Sequence, residues 1–400
     1  MRFFKTILIS SAAILAFASA GCDNKGPENG PDDSNEIILN DTAVTLEINQ
    51  THQLEVLYPD PKEGEVIYWS SSDESVATVS ETGLVTAIKD GSANITVSLG
   101  SLVSHCAITV NPRVIDFVEI DMTSMTPADV KSAIDKGLSE GHTNFKLIGP
   151  FENSGIPVDA SSVNVVYDQN PFYLTNVEII DLSEVTDWPE IDVDGQLDFV
   201  TWQPDLDGII GLPSFAFTGM VTDSETQKQT VTYPNLKEVI LPDDLPGIGV
   251  QAFYYNPQLT TVTAEGATHI GLSAFQSCQA LTEVEFPSVT TIFNYAFAYS
   301  SVEKVKLPKA THFEYGAFEQ CSNLVELSLT AAGDFTLTLP PYGTTYSFAF
   351  NFNTAACDLY LNGDKHFTSG NASPAAYSET SWAETYDGTP LTWKSITFER

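Results

Sequence analysis

Two short runs, Asp192-Val193-Asp194-Gly195 and Asp205-Leu206-Asp207-Gly208, set paired carboxylates beside a glycine that lets the backbone turn. Such a pair could open a calcium-binding loop. Neither run supplies the acid at position five or the later glutamate that completes the ligand set, so both read as turns and no metal is expected. Cys106, Cys278, Cys321 and Cys357 follow no zinc or redox spacing. The histidines, at 52, 105, 142, 269, 312 and 366, are scattered. With no His-Glu-x-x-His, no Gly-x-Ser-x-Gly and no glycine loop to cradle a phosphate, the chain reads as non-enzymatic and without a cofactor. What remains is recognition chemistry. Trp188, Trp202, Tyr254, Tyr255, Tyr342 and Tyr346 could offer rings to a sugar or a partner, or could pack half-buried.

A repeat positions most of what could recognise a ligand. Ala252-Phe253, Ala274-Phe275, Ala296-Phe297 and Ala317-Phe318 recur at spacings of 22, 22 and 21. Each pair closes a longer unit: Leu236-Lys237-Glu238-Val239-Ile240-Leu241-Pro242 leads to Ile248-Gly249-Val250-Gln251-Ala252-Phe253, and further units open at Leu259, Leu281, Val302 and Leu324. A period in the low twenties with a Leu-x-x-Val-x-Leu run fits a leucine-rich-repeat solenoid better than a closed globular fold. Val239, Val262, Val284, Val305 and Leu327 share one inward phase.

Their neighbours must therefore point outward. One outward row is Ile179, Glu238, Thr261, Glu283, Lys304 and Glu326; the next is Asp181, Ile240, Thr263, Glu285, Lys306 and Ser328. Opposite charges on adjacent rungs could compensate each other, each pair worth under about 1 kcal/mol, or could form a polar recognition surface. Trp188 and Trp202 are further candidates off the rungs. Cys278 and Cys321 each stand four residues after the Ala of their pair, with Ser300 in the slot between. Two rungs at about 4.8 Å each put them roughly 10 Å apart, too far for a disulfide, so they read as small buried column residues.

These units resemble the BspA-type leucine-rich repeat, strongly from Leu236 to Leu329 and more loosely over Val177 to Phe217 and beyond Thr330. Ala264-Glu265 replaces Leu-Pro in one unit, and Phe293 and Glu314 replace the glycine in two others. The resemblance implies that every unit lays a strand on one shared parallel sheet and returns through Ala-Phe on the opposite side, in irregular or short helical structure. Ahead of the repeats, Thr126-Pro127-Ala128-Asp129 reads as an N-cap, an N1 proline and a capping-box acid, with Val130, Ile134 and Leu138 at helical spacing. That predicts a short amphipathic helix able to cover the first rung. Asn144 to Gly149 reads as a strand and Val177 to Ser183 as a rung, while the polar insertion 219–232 reads as a protruding hairpin or loop. Trp382, Tyr386, Leu391, Trp393, Ile396 and Phe398 would close the other end.

From Ile37 the pattern changes to short alternating runs between turn signals, which predicts an all-β sandwich of antiparallel strands. Tyr68-Trp69-Ser70-Ser71-Ser72-Asp73, Ser75-Val76-Ala77-Thr78-Val79, Thr82-Gly83-Leu84-Val85 and Gly91-Ser92-Ala93-Asn94-Ile95 together resemble a group 2 bacterial Ig-like domain, a family that recurs in adhesins. Trp69 is expected between the sheets, with Val76, Val79, Val85 and Ile95 inward and Gly83 and Gly91 at turns.

At the N-terminus, Arg2 and Lys5 precede an apolar run from Ile7 to Ala18, too short to span a bilayer and apt for a signal peptide. Ser19-Ala20-Gly21-Cys22 then resembles the lipobox of bacterial lipoproteins of the Bacteroidetes type, which implies lipidation at Cys22 and anchoring through it alone. The following stretch is too polar to collapse and reads as an acidic tether.

The full reading is a multidomain chain: signal peptide 1–21, tether 22–35, Ig-like sandwich 36–112, helical capping region 113–176, repeats 177–357 and C-terminal cap 358–400. With 53 acidic against 17 basic residues and a net charge of −36, nucleic acid is excluded as a partner and self-repulsion favours a monomer. The expectation is an outer-membrane lipoprotein exposed at the cell surface that binds a host or matrix protein through its repeats, the Ig-like domain serving as a stalk. Two alternatives stand beside it: a glycan-binding accessory lipoprotein of a polysaccharide-uptake system, and a structural surface element.

Overall fold

The computed structural model describes residues 36–59, 65–158, 170–191, 206, 208–222, 229–331, 335–337, 349–362, 367–369, 381–384 and 390–399. The chain divides into two compact units, Met1–Val114 and Ile115–Arg400.

In the first unit, alternation buries one face of each strand. A sheet ordered Ala43–Glu47, Leu102–Asn111, Gly91–Leu99 and Ile67–Ser71 accompanies a second ordered Thr51–Gln53, Leu84–Ala87 and Ala77–Val79. Val85, Ile95, Val97 and Cys106 fill the core, with Val79 and Trp69 packed against it. A Cβ on Gly83 would lie 2.9 Å from the Trp69 ring, so glycine there is what admits the indole. Gly91 does not sit in a turn as expected; it opens a strand, pressed against Val76. One pairing also departs from the antiparallel expectation: Ala43–Glu47 runs parallel to Leu102–Asn111. After the turn around Asn49, held in the left-handed region at φ 73°, the chain enters the other sheet rather than folding back along its own.

The second unit is built of parallel rungs. Its helix, Pro127–Ser139, starts as expected: Thr126 accepts from the Asp129 backbone while the Asp129 carboxylate accepts from the Thr126 N–H, a closed capping box. Val130 and Ile134 are buried beneath it, and a Cβ on Gly137 would reach within 2.7 Å of the Phe145 ring. This helix joins two parallel strands, Val118–Asp121 and Asn144–Pro150, the first of which carries no repeat signature. Next in the same sheet come Ile179–Thr186, Glu238–Ile240 and Thr261–Thr263.

Here the structure corrects the expectation of one shared sheet. A second parallel sheet takes over with Glu283–Glu285, Lys304–Lys306, Glu326–Leu329, Asp358–Asn362 and Ser395–Glu399, and no pairing joins Thr261–Thr263 to Glu283–Glu285 among the described residues. The interruption coincides with the unit where Ala264 replaces the usual Leu. At that slot in other rungs, Leu241, Phe286 and Leu307 donate their N–H groups to Thr263, Lys306 and Ser328; Ala264 has no counterpart bond.

The opposite side is continuous. Gly211–Leu212, Gly247–Ile248, His269–Ile270, Thr291–Ile292, His312–Phe313, Phe335–Leu337 and Phe367–Ser369 form one parallel sheet. Between the sheets lie the Ala-Phe phenylalanines. Phe217, Phe253, Phe275, Phe297, Phe318 and Phe350 stack in one column, the four central rings 5.2 to 5.3 Å apart and within 13° of parallel. Each offset pair contributes about 0.5–1.5 kcal/mol beyond the area it buries.

The returns are neither irregular nor helical. The residue before each Ala and the second after each Phe are left-handed: Gln251 and Tyr255, Ser273 and Ser277, Tyr295 and Tyr299, Gly316 and Gln320. This alternation turns peptide N–H groups along the stack. Gln251, Phe253 and Tyr255 donate to Leu272, Ala274 and Gln276 of the next rung; Ser273, Phe275 and Ser277 donate to Asn294, Ala296 and Ala298. All six of these backbone bonds point toward the C-terminus, whereas Gly249 and Gly271 just ahead of them donate back to Leu212 and Ile248.

Candidate functional site

The two outward rows form in the register the sequence implies. Glu238 aligns with Thr261 and Ile240 with Thr263. Glu283, Lys304 and Glu326 align in one row, and Glu285, Lys306 and Ser328 in the other. The break between the sheets divides these rows into halves of different character.

In the N-terminal half the row is not open to solvent. Ile179 and Asp181 are 6% exposed and Glu238 is 9% exposed, so the recognition surface expected there is largely buried, with Ile240, Thr261 and Thr263 half-buried. In the C-terminal half Glu283, Glu285, Lys304 and Lys306 are exposed, and Glu326 and Ser328 half-buried. Lys304 lies 3.4 Å from Glu283 and Lys306 3.7 Å from Glu285, the cross-rung pairing expected. Being exposed, each pair adds little stability. The row extends to Asp358, which receives Lys394 at 2.6 Å and the Ser395 hydroxyl at 2.6 Å. The Lys394 hydrogen bond holds the Asp358 carboxyl below its ordinary range.

Trp188 lines a cleft of about 530 Å³, together with Ser183 to Asp187 on its own segment and Ile210, Pro242, Asp244 and Leu245 opposite. The strand Ile179–Thr186 explains the cleft. It pairs with Glu238–Ile240 only as far as Asp181, then continues beyond that neighbour, whose chain turns away at Pro242. On its other side the register slips: Lys146 faces Asp181 but Ile148 faces Glu184, a bulge that sets two residues against Leu147. Before the bulge Ile180 and Leu182 point inward; after it Val185 does, so Glu184 and Thr186 turn outward. Lys146 reaches Glu184 at 2.8 Å and Asp181 at 3.5 Å, and the Glu184 hydrogen bond raises its ammonium above the ordinary value. Trp188 itself rests on Phe151, centroids 4.9 Å apart, and donates its indole N–H to the Val185 carbonyl at 2.8 Å. Asp187 is left-handed at φ 55°, and its carboxylate accepts from Thr186 Oγ1 at 3.0 Å.

Other candidates are dispersed. The insertion forms a hairpin, Met220–Thr222 paired antiparallel with Gln229–Val231, whose tip lies outside the described residues. Cys22 with its signal and tether, Trp202, Tyr342, Tyr346, Asp192, Asp194, Asp205, Asp207 and the Trp382 side chain also lie outside them. Tyr254 and Tyr255 are half-buried and pack against each other.

The column of Cys278 and Cys321 proves to have a task that spacing did not disclose. Both thiols are free and fully buried, donating to the carbonyls of Phe253 at 3.2 Å and Phe297 at 3.1 Å on the preceding rung. Burial pushes both up to about 12. Asn256 stands in the same slot and donates to Phe217 O, and Ser300 donates to Phe297 O at 2.6 Å. The available signal was chemical: Asn256, Cys278, Ser300 and Cys321 are all small donors. Similar capping ends the ladder. Ala216 O, to which no earlier backbone N–H donates among the described residues, accepts from Asn170 Nδ2 at 2.8 Å and Tyr233 OH at 3.2 Å, and Thr218 O accepts from the Thr232 hydroxyl.

Comparison with known proteins places two segments of the chain. Residues 228–329 match the BspA type leucine-rich repeat region in six copies, and residues 34–110 match the bacterial Ig-like domain, group 2. An alpha-L-arabinofuranosidase of Bifidobacterium longum subsp. longum is 29% identical over 140 residues, 34% of this chain. The chain thus spans about an eighth of that protein, 12% of its length. Among solved structures, domains 4 and 5 of the S-layer protein SbsC are 22% identical over 18% of this chain and 50% of that one, with a TM-score of 0.16. A bacterial Ig-like domain containing GH10 xylanase from termite gut is 16% identical over 50% of this chain and 39% of that one, also with a TM-score of 0.16. Both matched modules are of kinds that are typically non-catalytic. In family terms, the chain carries a group 2 bacterial Ig-like domain followed by a BspA-type leucine-rich-repeat region.

Proposed function

We infer that this chain is a non-enzymatic recognition protein of the cell surface, in which the repeats form a solenoid that presents its C-terminal sheet to a host or matrix protein. The observation that carries the reading is the in-register, solvent-facing set Glu283, Glu285, Lys304 and Lys306, held rigidly over buried Val284 and Val305. Rows of charge fixed on a sheet discriminate partners and steer association, even where each internal pair adds little stability. In this reading the Ig-like unit is a stalk, residues 22–35 a tether, and Cys22 the site of a lipid anchor in the outer membrane.

The test is surface plasmon resonance of the full mature chain over immobilised matrix proteins and mucin. Saturable binding to one of them is expected, weakened at least about fivefold by the double reversal Lys304→Glu, Lys306→Glu and by raised salt. Saturable binding to none of them would sink the reading. The anchor has its own check: labelling with a fatty-acid analogue is expected in the wild type and absent in Cys22→Ala.

A further inference from the structure

We propose that the cleft beside Trp188 is a saccharide-binding subsite that accepts neutral glycans and rejects anionic ones. The proposal rests on reading the repeat region as a recognition module, and it names a second ligand class and a second site on it.

The strand Ile179–Thr186 outruns its neighbour, so no strand flanks Ser183–Thr186 on the Glu238–Ile240 side among the described residues. The facing wall begins at Pro242, which has no N–H to extend a ladder across the gap. A cleft of about 530 Å³ is within the range that holds a small ligand, and this one has walls of contrasting chemistry. One is the Trp188 indole. Its edge is fixed by the bond to Val185 O and its ring is backed by Phe151, so little order is lost when a sugar ring lays its C–H face against it. The others supply the exposed carboxylates of Glu184, Asp187 and Asp244 and the hydroxyls of Ser183 and Thr186.

Carboxylates accept hydrogen bonds strongly and donate none, which suits the many hydroxyl donors of a sugar. They also set the preference. Of these carboxylates only Glu184 is balanced by a nearby cation among the described residues, Lys146, in a chain whose net charge is −36, so a uronate or sulfated sugar meets repulsion on entry. An extended peptide could instead add to the open strand edge. The ring and the converging acceptors, which a backbone-pairing peptide does not require, favour the sugar.

Isothermal titration of the full mature chain with cellohexaose, xylohexaose, maltohexaose and laminarihexaose, with hexagalacturonate as the anionic probe, tests this. Saturable one-site binding of at least one neutral probe is expected, with none of hexagalacturonate. Trp188→Ala is expected to weaken it at least about tenfold. Because that ring also packs on Phe151, the exposed Asp244→Ala serves as a second variant, expected to weaken binding at least about threefold with an unchanged melting temperature. Binding of no neutral probe, equal binding of hexagalacturonate, affinity unmoved by both variants, or competition by an extended peptide but not by sugar would each overturn the proposal. Protein binding that responds to Lys304 and Lys306 but not to Trp188 leaves the proposed function standing when this site fails.

Discussion

Cys278 illustrates how a single side chain can be essential to a rung without being reactive. Its thiol joins Asn256 in donating to Phe253 O, and burial suppresses its ionisation. Cys278→Ser keeps a donor and is expected to cost little, whereas Cys278→Ala leaves the buried Phe253 carbonyl with only its 3.2 Å bond from Asn256 and is expected to cost about 1 kcal/mol in urea unfolding. A pH effect follows from the same burial. In the unfolded chain the thiol ionises near its ordinary 9.0, and in the fold only near 12. Both forms are neutral below pH 9, so stability is intact there. Above it the unfolded chain releases the proton first, and stability falls as pH rises toward 12, by about 1.4 kcal/mol per pH unit for each thiol. Alkylation by iodoacetamide at pH 8 should spare Cys278 and Cys321 until denaturant is added; rapid labelling of the native chain would contradict the buried column.

Between residues and whole units stand the ladders, and their ends decide whether they persist. The return ladder begins at Ala216, where Asn170 and Tyr233 supply the donors that a preceding rung would have supplied. Asn170→Ala is expected to destabilise the second unit by about 1–2 kcal/mol, and Thr126→Ala, which opens the helix capping box, by about 1 kcal/mol, both read from chemical denaturation. The sequence announced much at this scale. The Ala-Phe period and the Val239 to Leu327 phase gave the rungs and their register, and Thr126 to Asp129 gave the helix start. The strand Val118–Asp121 was silent because it lies in no repeat and follows no period. The split at Ala264 was visible only as a departure, since spacing along the chain says nothing of whether neighbouring strands meet. The cleft was equally hidden: Trp188 was legible as a ring, but its walls depend on how far Ile179–Thr186 overshoots Glu238–Ile240 and on the bulge at Leu147, both relations between strands distant in sequence.

At the scale of the molecule, the division into two compact units predicts two unfolding events. Ile95 is buried in the core of the first unit and Phe275 in a core of the second. Ile95→Ala and Phe275→Ala are each expected to remove about 2–5 kcal/mol, and in calorimetry each should lower one transition while leaving the other in place. A single transition lowered by both would show that the units unfold as one.

The one-way backbone bonding of the Ala-Phe segments has a consequence for how such a molecule changes length. Each added unit of the Ala-Phe type brings as many inter-rung donors as acceptors, so a unit inserted mid-stack leaves the hydrogen-bond balance untouched. The stack therefore has a direction, as a polymer with a head and a tail does, and at its head the carbonyls of Ala216 and Thr218 accept from Asn170, Tyr233 and Thr232. Growth by duplication is cheap in the middle and forbidden at the quenched head.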